Sequence, residues 1–255
     1  MSKQESKEIL TVKKLTKTFG GLVAVDSVDL SINEASITGL IGPNGSGKST
    51  LFNLISGVTT PDAGNIRFEN EEIDSLPSDM RFKKGLARGF QDPRLFFGMN
   101  VFENMLVPPI NQKGENPLFA IMKNLWRQQE IDLGGKAKSV MEELRMISVA
   151  LNSAEEISAG QMKLLQLGQL LMNSPKLVLL DEPTAGVAPS LTEEIFEIIK
   201  QMRDQRQITF FIIEHKLQVL FKYVDFVYVM HRGRIFAGGT PEEVVANPEL
   251  REIYL

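Results

Sequence analysis

Apolar and polar positions follow a period of two over the first forty residues of this chain and a period near 3.6 over much of the rest. Leu10–Thr16, Ser27–Ile32 and Ile37–Ile41 read as strands, with Gly20-Gly21 as a turn. Leu51–Ser56 reads as a helix stopped by Gly57. Thr59–Gly64 is a turn cluster, Asn65–Glu69 alternates like a strand, and Leu86–Gln91 leads into a loop at Asp92-Pro93. Leu164, Leu167, Leu170 and Leu171 form one helical stripe behind Ser158, a good N-cap. Leu177–Leu180 and Ile208–Ile213 are continuous apolar runs of the kind buried on both faces of a parallel sheet. Between them Pro189–Arg203 places Leu191, Ile195, Ile198, Ile199 and Met202 on one helical face. Phe226–Met230 and Arg234–Phe236 are further strands. Thr240, Pro241 and Glu243 then open a helix as N-cap, first turn and capping box.

Residues 93–157 differ in character. They hold Pro108-Pro109, Pro117, Gly134-Gly135 and short helical runs, of which Lys136–Ile147 carries Val140, Leu144 and Ile147 at helical spacing. Phe96, Phe97, Phe102, Phe119 and Trp126 make the stretch aromatic. At least half of these belong in a core, and the rest suit a partner surface, because aromatics anchor interfaces.

Three stretches carry chemistry. Gly42-Pro43-Asn44-Gly45-Ser46-Gly47-Lys48-Ser49-Thr50 fits G-x-x-x-x-G-K-[ST] at every specified position, with a strand before it and a helix after it. Glycines let backbone N–H groups curl around polyphosphate oxygens, and the following helix aims its positive end at the same anion. Lys48 supplies a charge for the β- and γ-phosphates, and Ser49 a hydroxyl for Mg²⁺. Next, Asp181-Glu182-Pro183 ends a buried strand, where ligands bind in open α/β sheets. Two carboxylates there are costly unless used. Asp181 reads as the Mg²⁺ carboxylate and Glu182 as the group that polarises the attacking water. Last, His215 follows the buried strand Ile208–Ile213, and on position alone a structural and a catalytic role weigh evenly. Phe19 is equally readable as a sheet residue or as an adenine-stacking ring. Gln91, taken alone, is a polar loop residue, and Ser158 and its helix are an ordinary capped helix.

Composition narrows the class. The chain has 255 residues and a formal net charge of −4, which argues against a general nucleic-acid binder. It has no cysteine, so no disulfide and no thiolate metal site. The polar start Met1–Glu8 is not a signal peptide, and no apolar run is long enough to cross a bilayer. A protein of this kind that works at a membrane needs another chain to hold it there.

The ordered set Gly42–Thr50, Gln91, Ser158-Ala159-Gly160-Gln161, Leu177–Glu182 and His215 resembles the ATP-binding cassette (ABC) transporter ATPases. The segment Ser158–Gln161 ahead of Asp181-Glu182 is what separates this family from other P-loop NTPases. Within the family, Ala87–Gln91 through Arg94-Leu95-Phe96, Asp181–Pro189, Ile213-Glu214-His215 and Gly239–Glu243 to Tyr254-Leu255 are similar to ATPases of branched-chain amino acid importers. Importers of urea or amides and exporters of lipopolysaccharide share much of this pattern.

The resemblance implies an α/β P-loop NTPase (RecA-like) core with an antiparallel β subdomain and an inserted α-helical subdomain. Residues 1–91 and 176–255 would form the nucleotide-binding core, and 92–175 the helical part with the signature. It implies that Phe19 stacks on adenine and that Gln91 touches Mg²⁺ or water. It implies that Ser158, Gly160 and Gln161 complete the ATP site of an opposite subunit, that His215 contacts the γ-phosphate and that Glu182 is the catalytic base. The implied cofactors are ATP and Mg²⁺. The implied partners are two transmembrane permeases, a second ATPase subunit of the same or another kind and, indirectly, a solute-binding protein, with no nucleic acid. The implied place is the cytoplasmic face of the membrane. Two positions depart from the family: the usual L-S-G-G-Q is Ile157-Ser158-Ala159-Gly160-Gln161, and Ala188 stands where the D-loop usually carries Asp.

Overall fold

The three five-residue strands Ile37–Ile41 (β3), Leu177–Asp181 (β7) and Thr209–Ile213 (β8) are buried at every position, as strands covered on both faces must be. The computed structural model that places them describes residues 7–89, 94–115 and 123–249. β3 pairs in parallel with β8, and β8 with β7. The sheet continues through Leu86–Gly89 (β6) on one side. On the other side come Phe226–His231 (β9) and the antiparallel edge strand Arg234–Gly239 (β10), giving the order β10-β9-β3-β8-β7-β6.

A second sheet is antiparallel. Glu8–Phe19 (β1) and Leu22–Asn33 (β2) form a long hairpin about Gly20-Gly21, with Ala63–Phe68 (β4) and Glu71-Glu72 (β5) completing the order β2-β1-β4-β5. Both hairpin strands are longer than their apolar cores Leu10–Thr16 and Ser27–Ile32 suggest. Register shifts interrupt the ladder at several points, and pairing resumes after each of them. Helix α1, Lys48–Ile55, inserts Leu51, Phe52, Leu54 and Ile55 between the sheets, where Phe52 meets Phe211 at 4.9 Å between ring centroids. The C-terminal end of α1 is closed by Arg81 of the short helix α2, Ser78–Lys83. Its buried guanidinium donates to the carbonyls of Leu54, Ile55, Asp74 and Leu76 at 2.7–2.9 Å. The last carbonyls of a helix need such partners when water is excluded.

Two compact units emerge. The first takes Met1–Gln91, Lys176–Ala185 and Ile199–Leu255, the second Asp92–Pro175 and Gly186–Ile198. The second contains Val101–Leu106 (α3), Lys123–Glu143 (α4) and Ala159–Leu171 (α5). Here the sequence reading needs correction. Gly134-Gly135 does not separate short helices but lies inside the 21-residue α4. Each helical glycine costs about 1 kcal/mol, but Ala137, Val140, Met141 and Leu144 are fully buried beyond them. Nor does the helix reach Ile147. Arg145 turns to φ +56°, Met146 N–H bonds back to Met141 O at 2.8 Å, and Ile147 is left 43% exposed. That is a C-terminal helix stop made without glycine. Of the stripe Leu164, Leu167, Leu170 and Leu171 on α5, Leu170 is half-buried and the other three are buried.

The helix Pro189–Arg206 (α6) precedes β8, the short helix Leu217–Leu220 (α7) follows it, and Pro241–Ala246 (α8) begins at Thr240 with the capping box in place. No described helix is long and apolar enough to cross a membrane.

Candidate nucleotide-binding site

Parallel pairing puts the C-terminal ends of β3, β8 and β7 side by side, so three loops leave the sheet at one edge. They are the glycine-rich loop after β3, Glu214-His215 after β8 and Glu182-Pro183 after β7. The open cleft at this edge measures about 550 Å³ and lies within the first unit. It is lined by Asn44–Thr50, Glu182, His215, Phe19, Leu22–Ala24 and the Arg232-Gly233 turn of the β9–β10 hairpin.

The loop's form is forced at two glycines. A Cβ on Gly42 would lie 2.1 Å from the carbonyl oxygen of Met230. One on Gly47, at φ +104°, would lie 2.3 Å from that of Ala24. The hairpin turn braces the loop from the side, Gly233 N–H donating to Ser46 O at 2.9 Å. Lys48, 6% exposed, starts α1 and turns back over the loop, donating to Gly42 O at 2.8 Å and Pro43 O at 3.0 Å. Burial pushes its ammonium below the ordinary lysine value, and the charges of Glu182 and Asp181 oppose that shift. Ser46 Oγ is buried among these groups without a hydrogen-bond partner. An unmet polar atom, backbone N–H groups at a helix start and an inward cation together suit a polyphosphate. Phe19 stands 49% exposed at the rim with Lys17 Nζ 5.5 Å from its ring centroid. Asp62 holds that ammonium at 2.7 Å, so the ring can offer its other face to a planar group.

Beyond the loop, Glu182 has φ +48°, a left-handed conformation costing a residue with a side chain about 1–3 kcal/mol. Its N–H bonds to Ile213 O at 2.9 Å, and its Oε1 lies 3.0 Å from His215 Nε2. A carboxylate beside an imidazole at the mouth of a phosphate-shaped loop can accept a proton from water and pass charge to a neighbour. Asp181 is buried at the strand end, with Arg88 Nη2 3.6 Å from its carboxylate. Arg88 also donates to Asn53 Oδ1 at 2.6 Å and Ser56 Oγ at 3.0 Å, tying β6 to α1. Arginine in the short buried strand Leu86–Gly89 was the sequence signal for this residue, and the motif reading passed over it. It also passed over Arg232, which no motif marks.

Among the described residues no cluster of three or more His, Cys, Asp or Glu could cage a metal. Mg²⁺ needs no such cage, since it keeps waters and takes phosphate oxygens with one or two protein groups. The exposed Ser49 hydroxyl and Asp181 are the side chains of this set that fit that role.

Burial pushes the Asp181 carboxyl above its ordinary value, and Arg88 pulls it partly back. The folded chain therefore holds the proton more tightly than the unfolded chain. Ionised Asp181 weakens the fold once pH exceeds the unfolded carboxylate value, and the penalty disappears at lower pH. Asp181→Asn, a mimic of the neutral form, is expected to raise the melting temperature of the nucleotide-free protein at pH 7. A gain of about 1 kcal/mol would shift it by about 2–4 °C in a chain of this size. The gain should fade as pH falls into the carboxylate range, and scanning calorimetry at pH 7 that gives no increase refutes it.

The remaining expected residues lie elsewhere or outside the described residues. Gln91 falls outside them, as do Phe119 and the end Tyr254-Leu255. Ser158, Gly160 and Gln161 belong to the second unit. There Ser158 caps α5 in a reciprocal box: its Oγ accepts from Gln161 N–H at 3.3 Å, and Gln161 Oε1 from Ser158 N–H at 2.8 Å. A Cβ on Gly160 would lie 1.8 Å from Leu191 Cδ2, so a larger residue there would have to displace the Leu191 side chain.

Residues 25–185 match the sequence family described as ABC transporter. The chain belongs to that family and is an ATP-hydrolysing ABC ATPase of the P-loop α/β fold. Over 99% of both chains it is 40% identical to a protein of Methanocaldococcus jannaschii named as a probable branched-chain amino acid transport ATP-binding protein. It is 36% identical, over 98% of both, to the high-affinity branched-chain amino acid transport ATP-binding protein of Pseudomonas aeruginosa. A crystal structure of an ABC transporter's ATP-binding cassette in its ADP conformation superposes with a TM-score of 0.86 at 39% identity, covering 98% of this chain and 99% of that one.

Proposed function

We propose that this chain energises the uptake of branched-chain amino acids as the peripheral ATPase of a membrane importer. The observation that carries this reading is end-to-end similarity to relatives named for that transport, at 36–40% identity. In this reading Gly42–Thr50 wraps the triphosphate, Lys48 binds its β- and γ-oxygens and Phe19 stacks on adenine. Glu182 accepts the proton of the attacking water, and His215, 3.0 Å away, steadies Glu182 and meets the γ-phosphate. Mg²⁺, when bound, would offset phosphate charge, held by Ser49 and Asp181 with Gln91. Ser158, Gly160 and Gln161 act on the site of a second ATPase subunit, toward which the capped start of α5 presents N–H groups. Residues 1–91 and 176–255 serve nucleotide chemistry, and 92–175 serve signature and docking. The protein works on the cytoplasmic face of the membrane beside two permeases, with a solute-binding protein delivering cargo.

Docking falls to the loop at Phe96 and Phe97, which are 50% and 46% exposed. Buried Asn104 brackets this loop, accepting from Phe96 N–H at 2.9 Å and donating to Phe96 O at 3.0 Å and Asn100 O at 2.9 Å. The loop is thereby held in one shape with both rings outward. Purified with its permeases in lipid, the assembly should hydrolyse ATP faster when the binding protein carries leucine, isoleucine or valine. Stimulation by urea or amides instead would refute the cargo. Phe96→Ser and Phe97→Ser are expected to leave turnover of the isolated subunit within about twofold while reducing co-purification with permeases about tenfold or more, the loss expected of an interface anchor. Unchanged co-purification places the docking surface elsewhere.

A further inference from the structure

Glu214 is a carboxylate 3% exposed, one residue before His215, and no motif reading gives it a task. Its Oε1 accepts the hydroxyl of Thr184, which is fully buried. Its Oε2 accepts the backbone N–H groups of His215 at 2.7 Å and Lys216 at 3.1 Å. Lys216 Nζ returns to Thr184 O at 3.0 Å. Among the described residues the last backbone bond between the β7 and β8 segments is Glu182 N–H to Ile213 O. Past that point the two loops are joined by side chains, and Thr184–Glu214 and Lys216–Thr184 are two of those links. One loop carries Glu182 in its left-handed turn, and the other carries His215. A buried carboxylate is expensive unless its oxygens are met, and here three donors meet them at the base of the two loops.

We infer that Glu214 and Thr184 form a positioning pair that sets His215 against Glu182, so that turnover depends on a bond neither reacting group makes. This rests on the roles proposed above for Glu182 and His215. Only an acceptor-only group can take two N–H donors on one oxygen and a hydroxyl on the other. Glutamine can nearly replace it: its oxygen faces the N–H pair, and its amide donates to a hydroxyl that reverses direction. Alanine cannot. Valine at 184 keeps the shape of threonine and loses the donor.

Thr184→Val and Glu214→Ala are each expected to lower kcat about 10- to 100-fold, the cost of misplacing a catalytic group by about 1 Å. The affinity for a fluorescent ATP analogue should stay within about threefold, because the glycine-rich loop is untouched. Thr184→Ser and Glu214→Gln should recover most of kcat. The decisive measurement is a cycle with His215→Ala. If the pair acts through His215, adding Thr184→Val to His215→Ala should lower kcat by no more than about twofold further, since residues acting as one unit are not additive. Full additivity overturns the inference, as does a Thr184→Val protein with parental kcat. So does a parallel loss of kcat, nucleotide affinity and melting temperature that Thr184→Ser fails to repair, which marks a purely structural pair. A His215→Ala protein with parental kcat is a different failure: it removes the role of His215 and the inference with it.

Discussion

Glu182→Gln is expected to bind ATP within about threefold of the parent and to turn it over about 10²- to 10⁴-fold more slowly, the range for loss of a general base. Glutamine has the shape of glutamate and can still take a hydrogen bond from His215, whose Nε2 lies 3.0 Å from Oε1. What it lacks is basicity. Binding should survive because the phosphate contacts proposed for Gly42–Thr50 and the adenine contact proposed for Phe19 are left untouched. With hydrolysis stalled and ATP retained, the variant should accumulate as an ATP-bound dimer on size-exclusion chromatography, while the parent does so only briefly. Single-turnover kinetics decide the matter, because they exclude product release: a chemical step near the parental rate would mean that another group activates water.

Lys48→Ala is expected to act earlier, on binding. The lysine makes charge-assisted hydrogen bonds, each worth about 1.5–3 kcal/mol, so affinity for ATP should fall about 10- to 150-fold. A second effect adds to the first. Nζ donates to Gly42 O and Pro43 O, so removing it also unties the loop it closes. Burial disfavours the charged ammonium in the nucleotide-free state, and a polyanion entering the cleft would favour it. Lys48→Ala should therefore lose most of the stabilisation that ATP gives the parent. Equal ATP-induced shifts in melting temperature for parent and variant would move the phosphate site away from this loop.

The two variants separate binding from chemistry, and Arg88 connects them physically. It reaches Asn53 and Ser56 on the helix that Lys48 begins, and stands 3.6 Å from Asp181 on the strand that Glu182 ends. Burial lowers the guanidinium's hold on its proton, and the charge of Asp181 opposes that shift. A cation in that place ties the strand that bears it to the helix behind the glycine-rich loop and to the carboxylate of Asp181.

Local order was legible wherever a single element decides the outcome. The phosphate loop, the buried strands Leu177–Leu180 and Ile208–Ile213, the cap at Ser158 and the box at Thr240 each depend on residues within a few positions of one another. Their sequence spacing therefore states the physics. The same holds for Asp181-Glu182 and His215, since strand ends are marked where an apolar run stops. Where long-range packing outweighs local preference, the sequence read alone misleads. Gly134-Gly135 looks like a break, but the buried face of α4 outweighs the helical cost of two glycines. Ile147 fits the helical period, but Arg145 adopts a left-handed turn and removes it from the face. Most of all, nothing along the chain places Glu182 beside His215, Arg88 beside Asp181 or Thr184 beside Glu214. Those pairs exist because β7 and β8, and β6 and β7, run parallel as neighbours, which brings residues thirty or more positions apart to one edge of one sheet. Strand order is set by the burial of whole faces, and that energy has no address in any short stretch of sequence.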